Sequence, residues 1–139
     1  MKSEIVFTFS DTGPCLLPES LPPGEWISYR LYIRLQTAAV LAVGRLGTFP
    51  FPAGDYCYTG SARRNLPARV NRHLRRKKVL RWHIDYLLTC PVAGIWQVEI
   101  STRPECELVQ ELGGAIVVPG FGASDCRAGC GSHLRWLKQ

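Results

Sequence analysis

The sequence lacks any long hydrophobic run. No segment approaches the roughly 20 consecutive apolar residues that a membrane-spanning helix needs, and the apolar stretch from Ile5 to Phe9 is too short for the hydrophobic region of a secretory signal. These absences indicate neither insertion into a membrane nor export. We therefore expect a cytoplasmic protein with no membrane partner.

The chain also has little need of disulfides. A chain of 139 residues suits one domain and buries roughly two-thirds of its unfolded surface, so its core does not depend on covalent cross-links. In a reducing cytoplasm the six cysteines are expected to be thiols or metal ligands. The sequence shows no internal repeat, so repeat architectures are not expected.

Acidic residues are missing from one stretch of a basic chain. The formal net charge is +6, which favours a polyanionic partner, with nucleic acid ahead of a membrane surface. Between Arg63 and Arg81 there are nine Lys or Arg and no Asp or Glu within 19 positions. Phosphate backbones favour such a patch because bound cations displace condensed counterions. A solvated helix face is the alternative interpretation.

Residue patterns predict a mixed α/β (α+β) domain. The proline-rich segment 1–25 is expected to be an irregular arm containing a short strand over 4–9, and 26–139 a single domain. The segment from Gly44 to Gly54 is expected to be turns. Further strands are predicted at Trp26–Leu35, Ala38–Val43, Asp55–Thr59, Val92–Ile100 and Ile116–Val118.

Helix signals follow the strand that ends at Thr59. Asn65 is a favourable N-cap, and Leu66, Val70 and Leu74 form one apolar stripe at four-residue steps. Arg69, Arg72, His73 and Arg76 are expected on the other faces of this helix. Two more helices are predicted at Trp82–Leu88 and Pro104–Leu112. Alternating strands and helices indicate a sheet flanked by helices.

The residues that suggest chemistry are Tyr58 to Ala62, Arg69 and His73. Glycine at position 60 permits close backbone approach, and Ser61 could donate a hydrogen bond to a phosphate. Arg69 and His73 are four residues apart, which puts them on one side of a helix. Arginine offers a planar fork to phosphate, and histidine can move a proton near neutral pH.

Together these residues resemble the second half of the GIY-YIG nuclease signature, and Ile27-Ser28-Tyr29 resembles a degenerate first half. Further motifs resemble one uncharacterised, domain-of-unknown-function branch of that superfamily, over roughly residues 26–137. These motifs are Arg81-Trp82-His83-Ile84-Asp85-Tyr86-Leu87, Glu105-Cys106, Phe121-Gly122-x-Ser124-Asp125-Cys126 and Ser132-His133-Leu134.

The resemblance implies a mainly antiparallel sheet flanked by helices, and a Mg²⁺- or Mn²⁺-dependent endonuclease that hydrolyses DNA. The implied catalytic residues are Tyr29, Tyr58, Arg69, His73 and Glu105, with Glu105 as the metal ligand. Residues expected to contact the nucleic acid, with RNA not excluded as the partner, are Gly60, Ser61, Arg63, Arg64, Arg72, Arg75, Arg76, Lys77, Lys78, Arg81 and His83.

Some of these assignments have rivals. The two signature tyrosines are 29 positions apart, a long spacing, so Tyr32 is an alternative to Tyr29. Thr102 and Glu105 also fit a capping box, which would occupy the Glu105 carboxylate. Glu107 and Glu111 are the fallback metal ligands.

The cysteine-rich tail offers zinc-like residue types. Cys126, Cys130 and His133 supply three potential ligands, and structural zinc normally takes four, so Cys106 or Asp125 would have to complete the set. Buried thiols beside a glycine-rich loop are the preferred interpretation. Two further functions therefore stand beside the nuclease: a non-catalytic nucleic-acid-binding module and a zinc-stabilised interaction domain.

Overall fold

The structure is a computed structural model that describes residues 4–9, 16–18, 20–123, 126 and 128–138. Within these residues the fold is α+β, as predicted. Its strands are β1 (Glu4–Thr8), β2 (Ser28–Leu35), β3 (Ala39–Val43), β4 (Gly47–Phe51), β5 (Gly54–Ser61), β6 (Ala93–Ser101) and β7 (Leu134–Lys138). The helices are α1 (Leu66–Leu74), α2 (His83–Leu88) and α3 (Glu105–Leu112), and Gly44–Leu46 form a 3₁₀ turn.

The central sheet has the strand order β1-β6-β2-β5-β7, and every neighbouring pair is antiparallel. Strands β3 and β4 form a separate two-stranded hairpin. Strand β1 lies in the segment 1–25, so the predicted arm contributes an edge strand to the sheet. Within the part of the chain that the structure describes, no helix is both long enough and apolar enough to cross a bilayer.

The two faces of the sheet carry different partners. On β2 the residues Tyr29, Leu31, Ile33 and Leu35 alternate onto one face and are all buried. Val70 of α1 and Ile84 of α2 join them in the hydrophobic core. The opposite face carries Arg30, whose guanidinium donates to the main-chain carbonyl of Leu108 in α3 at 2.8 Å. Helix α3 thus covers the other face.

Several predicted elements need correction. The segment from Gly44 to Gly54, predicted as turns, contains β4, because Phe49 and Phe51 alternate inward against the core. Pro50 is tolerated between them because both strands of a two-stranded sheet are edge strands. Residues Ile116–Val118 do not form a strand, since the pairing there is one isolated bridge between Ala115 and Trp136. The last strand, β7, has no counterpart among the predicted elements.

Two predicted helix starts also differ. Asn65 occupies the N-cap position of α1, but its backbone is left-handed (φ 54°) and its side chain makes no capping hydrogen bond. Helix α3 begins after Pro104, so Pro104 rather than Thr102 occupies the N-cap position. The Glu105 carboxylate instead turns away from its own helix, toward Ser61 and His133.

Candidate functional site

Tyr29 anchors the buried side of the site. Its hydroxyl lies 2.8 Å from His73 Nε2, and its side chain is only 2% exposed. Tyr29 pairs with Gly60 across β2 and β5, and a Cβ atom at position 60 would lie 2.5 Å from the tyrosine oxygen. Gly60 is therefore the residue that leaves room for the Tyr29 ring.

This contact predicts a measurable effect of Gly60→Ala. The new methyl group must displace the buried ring, so we expect a loss of about 1–3 kcal/mol in the free energy of unfolding. The shift of the ring should also break the hydrogen bond between Tyr29 and His73. Urea unfolding measures the loss of stability, and the aromatic NMR signals of Tyr29 and His73 report the broken bond. As a control, Gly113→Ala places its Cβ in open space, although at positive φ, and should be destabilised without disturbing the aromatic NMR signals of Tyr29 and His73. Unchanged stability of Gly60→Ala would contradict the packing.

Tyr58 lies on the same face of the sheet as Tyr29. Its ring centroid is 6.1 Å from that of His73 and 6.2 Å from that of Phe121. Gly122, at φ 64°, lies so close that a Cβ there would be 2.8 Å from the Tyr58 ring. Tyr58 therefore packs directly beneath the Phe121–Gly122 turn.

Burial controls the titration of these three side chains. It raises the pKa of Tyr29, against the lowering effect of the Arg69 guanidinium, and it raises the pKa of Tyr58. It lowers the pKa of His73 to about 3. All three groups are therefore uncharged at neutral pH. His73 lies on the apolar stripe of α1 with Leu66 and Val70, and so not on another face of the helix as predicted.

Arg69 and Glu105 meet at Ser61, the last residue of β5. The Arg69 guanidinium donates to the main-chain oxygen of Ser61 at 3.2 Å, and the Ser61 hydroxyl donates to Glu105 Oε1 at 3.1 Å. Arg69 also lies over the Trp82 ring, 4.7 Å from its centroid. The cationic and the anionic side chain thus flank one end of β5, although their helices cover opposite faces of the sheet.

Glu105 is ionised and partly exposed. The bond to His133 lowers its pKa more than burial raises it, and the Ser61 hydroxyl lowers it further. Its second oxygen lies 3.4 Å from His133 Nδ1, and 31% of its side chain is exposed. One accessible carboxylate suits Mg²⁺ or Mn²⁺, because Mg²⁺ usually keeps several waters and binds through one or two carboxylates plus substrate phosphate.

A cleft of about 230 Å³ opens beside Glu105. Behind its lining, Tyr58 contacts Gly122, while His73 packs against Trp82 at 5.7 Å between ring centroids. The tyrosines and His73 therefore lie one layer beneath the cleft. The residues that line it are Arg81, Trp82, His83, Glu105, Gly122, Cys126 and His133.

His83 presents a hydrogen-bond donor at this cleft. Its Nδ1 accepts a hydrogen bond from the main-chain N–H of Gly122 at 2.9 Å. That bond leaves the proton of the neutral ring on Nε2. Burial lowers the pKa of His83, which keeps the ring neutral near pH 7.

The rival residues lie elsewhere. Tyr32 points to the face opposite Tyr29 and packs against Trp96, with ring centroids 5.9 Å apart. Glu107 and Glu111 both pair with Arg103 on the exposed side of α3. Glu105 lines the cleft and Tyr29 lies in the layer beneath it, whereas Tyr32, Glu107 and Glu111 do neither.

The basic run separates into structural and exposed side chains. Arg72 makes a two-pronged bond to the buried Asp85 at 2.9 and 3.0 Å, which occupies the guanidinium predicted for nucleic acid. Arg76 and Lys78 donate to the main-chain oxygens of Cys90 and His73. The side chains that remain exposed are Arg63, Arg64, Arg75, Lys77 and Arg81, with Arg76 exposed apart from its one bond.

A cluster of sulfur and nitrogen atoms adjoins the cleft. The ligand atoms of Cys106, Cys126, Cys130 and His133 all lie within 4.8 Å of one another. Cys106 thus joins the three tail residues that the sequence singled out, while Asp125, the other predicted partner, lies outside the described residues. The spacing of these residues in the sequence did not indicate whether Cys106 or Asp125 would lie near the three tail residues.

Comparison with known proteins gives one family. The family model described as domain of unknown function DUF123 matches residues 28–139, and the chain belongs to this family. No curated protein and no solved structure gives a significant match to the chain.

Two contributors to the site carried no predicted role. Trp82 holds both Arg69 and Arg72 over its ring, and Gly122 gives Tyr58 its space. Their sequence signals were the Arg-Trp-His and Phe-Gly motifs. Those motifs locate the residues but do not reveal the contacts.

Proposed function

We propose that the chain is a metal-dependent endonuclease of the GIY-YIG type that hydrolyses phosphodiester bonds in DNA. The observation that carries the proposal is the meeting of Arg69 and Glu105 at Ser61, beside a cleft underlain by Tyr29, Tyr58 and His73. These five residues were selected by motif alone. Their convergence at one end of β5 supports a common role.

Hydrolysis divides the work among these groups. Water forms a new bond to phosphorus and loses a proton, the bond to the leaving oxygen breaks, and that oxygen gains a proton. Arg69 lies where its guanidinium can turn from Ser61 to a phosphate, and a fork of this kind stabilises charge that shifts among phosphate oxygens. Glu105 would hold Mg²⁺ or Mn²⁺, which polarises a phosphoryl oxygen or stabilises the leaving oxygen when bound.

The buried tyrosines and His73 have two proposed roles, which are positioning and proton transfer. The neutral His73 ring holds the Tyr29 hydroxyl at 2.8 Å, and the raised pKa of both tyrosines keeps their protons in place at neutral pH. A cation held by Glu105 would lower the pKa of nearby hydroxyls, since it would favour their ionised form. Proton transfer by a tyrosine is therefore expected only in the loaded site.

A pair of glutamate variants tests the metal role. Glu105→Gln keeps the side-chain shape but removes the charge, so Mg²⁺-dependent nicking of supercoiled DNA should fall by at least about tenfold. This magnitude follows because changing even a group that only orients a ligand costs metal sites about 10–100-fold. Glu107→Gln, two residues later and exposed, is the matched control and should nick like the parent. Equal loss in both variants, or in neither, would remove Glu105 from the site.

The exposed basic side chains predict a salt-dependent association with DNA. Arg75→Gln combined with Lys77→Gln removes two charges from the basic run, whereas Arg45→Gln combined with Lys138→Gln removes two exposed charges elsewhere. We expect the first pair to flatten the plot of log affinity against log salt by about 0.9 for each DNA phosphate that the protein no longer neutralises. The second pair should leave the slope as in the parent. Identical slopes for both pairs would mean that the run is only a solvated face.

One observation favours a second function, a nucleic-acid-binding module without turnover. Tyr29 and Tyr58 are buried with raised pKa values, and His73 is a poor base with a pKa of about 3. None of these groups is a ready general base at neutral pH. Steep salt-dependent binding to DNA without cleavage in any divalent metal would support this module instead.

A further inference from the structure

We propose that Cys106, Cys126, Cys130 and His133 bind one zinc ion, and that this zinc site fixes the position of Glu105 through His133. The second half of the proposal deepens the nuclease site and rests on it. Zinc binding itself does not depend on the chain being a nuclease.

The distances suit a tetrahedral site. Cys106 Sγ lies 3.6 Å from Cys126 Sγ and 4.0 Å from His133 Nε2, and all four ligand atoms are within 4.8 Å of one another. Zn–S bonds of about 2.3 Å and Zn–N bonds of about 2.0 Å place ligand atoms about 3.5–3.8 Å apart in a tetrahedron. A small contraction of the cluster would therefore complete the coordination.

The residue types select zinc, and the geometry argues against a disulfide. Three thiolates and one imidazole form a closed structural set for Zn²⁺, with no position left open for substrate. The 3.6 Å between Cys106 and Cys126 is far beyond the about 2.05 Å of an S–S bond. The other described cysteines, Cys57 and Cys90, are buried elsewhere as free thiols.

The four residues come from two different parts of the chain. Cys106 lies in the regular helix α3, whereas Cys126 and Cys130 lie in the segment between α3 and β7. In the described part of that segment the β pairing is a single bridge at Ala115. A metal bound to all four residues would tie this segment to α3. The amide of Gln110, 4.0 Å from Cys130 Sγ, is placed to donate a hydrogen bond to a thiolate there.

The histidine connects this cluster to the cleft. Its Nε2 faces Cys106, while its Nδ1 lies 3.4 Å from Glu105 Oε2. Coordination through Nε2 would leave the proton on Nδ1, which then donates to the carboxylate. A metal-bound histidine commonly donates its other N–H to a carboxylate in this way. The same carboxylate accepts from Ser61, so its two oxygens would both be held in place.

Metal content tests the zinc site without any cleavage assay. The parent chain, purified without chelators, should contain one zinc per chain by elemental analysis. Its metal-free form should bind Co²⁺ with the thiolate charge-transfer and intense visible bands of a tetrahedral site. Cys106→Ser and Cys130→Ser should lose stoichiometric zinc, while Cys90→Ser, a buried cysteine outside the cluster, should keep it. A parent that binds neither metal overturns the proposal, whether or not the variants fold. Thiols that appear only after reduction, from a Cys106–Cys126 disulfide, would overturn it too.

His133→Cys tests the link to Glu105. A fourth thiolate should retain the zinc, seen as a Co²⁺ spectrum shifted toward that of four sulfur ligands. The variant cannot donate the histidine hydrogen bond to Glu105, so Mn²⁺ binding, followed by electron paramagnetic resonance, should weaken by about 10–100-fold. Parent-like Mn²⁺ affinity in this variant would overturn the link and leave the zinc site standing. A parent that binds zinc but never cleaves DNA would instead refute the proposed function.

Discussion

Arg69→Ala is expected to slow single-turnover DNA cleavage by about 10²–10³-fold, which is the usual cost of removing one donor aimed at transition-state charge. Binding of the same DNA should change far less, because in the proposed complex many other cations would share the contact with the backbone. Cleavage should be affected more than binding because a guanidinium on the reacting phosphate stabilises the transition state, where negative charge is redistributed, more than it stabilises the bound DNA. Rapid-quench kinetics with enzyme in excess separate the cleavage step from binding.

The control for Arg69→Ala is Arg63→Ala. Both residues belong to the basic run, but Arg63 is exposed and Arg69 lies over Trp82 and bonds to Ser61. Arg63→Ala should cleave within about a few-fold of the parent, as expected for one of many phosphate contacts. Thermal melts of both variants should show that each remains folded. Equal rates for Arg69→Ala and the parent would place the site elsewhere.

Asp85→Asn is expected to lower the free energy of unfolding by about 3 kcal/mol, because it leaves Arg72 without its anionic partner in a largely buried pair. Asp85 is fully buried and also accepts hydrogen bonds from the main-chain N–H groups of Arg81 and Trp82. These bonds hold the turn that carries Trp82 between α1 and α2. The substitution should therefore also make the Trp82 ring, over which Arg69 lies, more mobile.

The pH dependence of stability distinguishes this pair from a surface contact. Burial acts to raise the pKa of Asp85, but the hydrogen bonds from Arg72, Trp82 and Arg81 outweigh it and lower that pKa. The stabilisation is thus present above the unfolded value of about 3.9 and is lost as the pH falls through the lower folded value. Urea titrations should show a smaller difference in the free energy of unfolding between the parent and Asp85→Asn at pH 3, below the unfolded value, than at pH 7.

Asp55→Asn supplies the control for this prediction. Its partner Arg34 is 59% exposed, and exposed pairs contribute about 0–1 kcal/mol. This variant should remain near the parent at both pH values. An Asp85→Asn variant as stable as Asp55→Asn would show that the Arg72 pair does not hold the α1–α2 turn.

Local patterns predicted the elements that carry their own signal. Leu66 and Val70 define α1 by period, and both are buried as expected. The β-branched and aromatic run before Leu35 predicted β2. Strand β7 was missed because Arg135 and Lys138 look like a solvated tail, and this strand becomes regular only by pairing with β5. Its stabilisation comes from a partner about 80 residues earlier, which no local window contains.

The site was predicted by residue type but not by environment. Motifs identified Tyr29, Arg69 and Glu105, and the structure places all three at one end of β5. Burial of His73 and of the Tyr29 hydroxyl depends on how α1 packs on the sheet, so their shifted pKa values could not be read from spacing. The same holds for Cys106, because only the position of α3 decides whether it reaches the tail cysteines.

The basic run shows a similar limit. Nine cations without an acid suggested one continuous nucleic-acid surface. The compensating acid, Asp85, lies just beyond the run and is buried by α2, where it takes Arg72 out of that surface. The composition gives the number of charged residues, but tertiary contacts determine which of their side chains are exposed to solvent.

The most direct measurement is single-turnover cleavage of one end-labelled DNA duplex by the parent chain, with Mg²⁺ or Mn²⁺ and then with excess chelator. A nuclease of the proposed type should give discrete products with either metal, and these products should disappear when the metal is removed while the DNA stays bound. Binding without cleavage in both metals would contradict it in favour of the binding module. Cleavage that survives the chelator would contradict the role of Glu105 as a metal ligand.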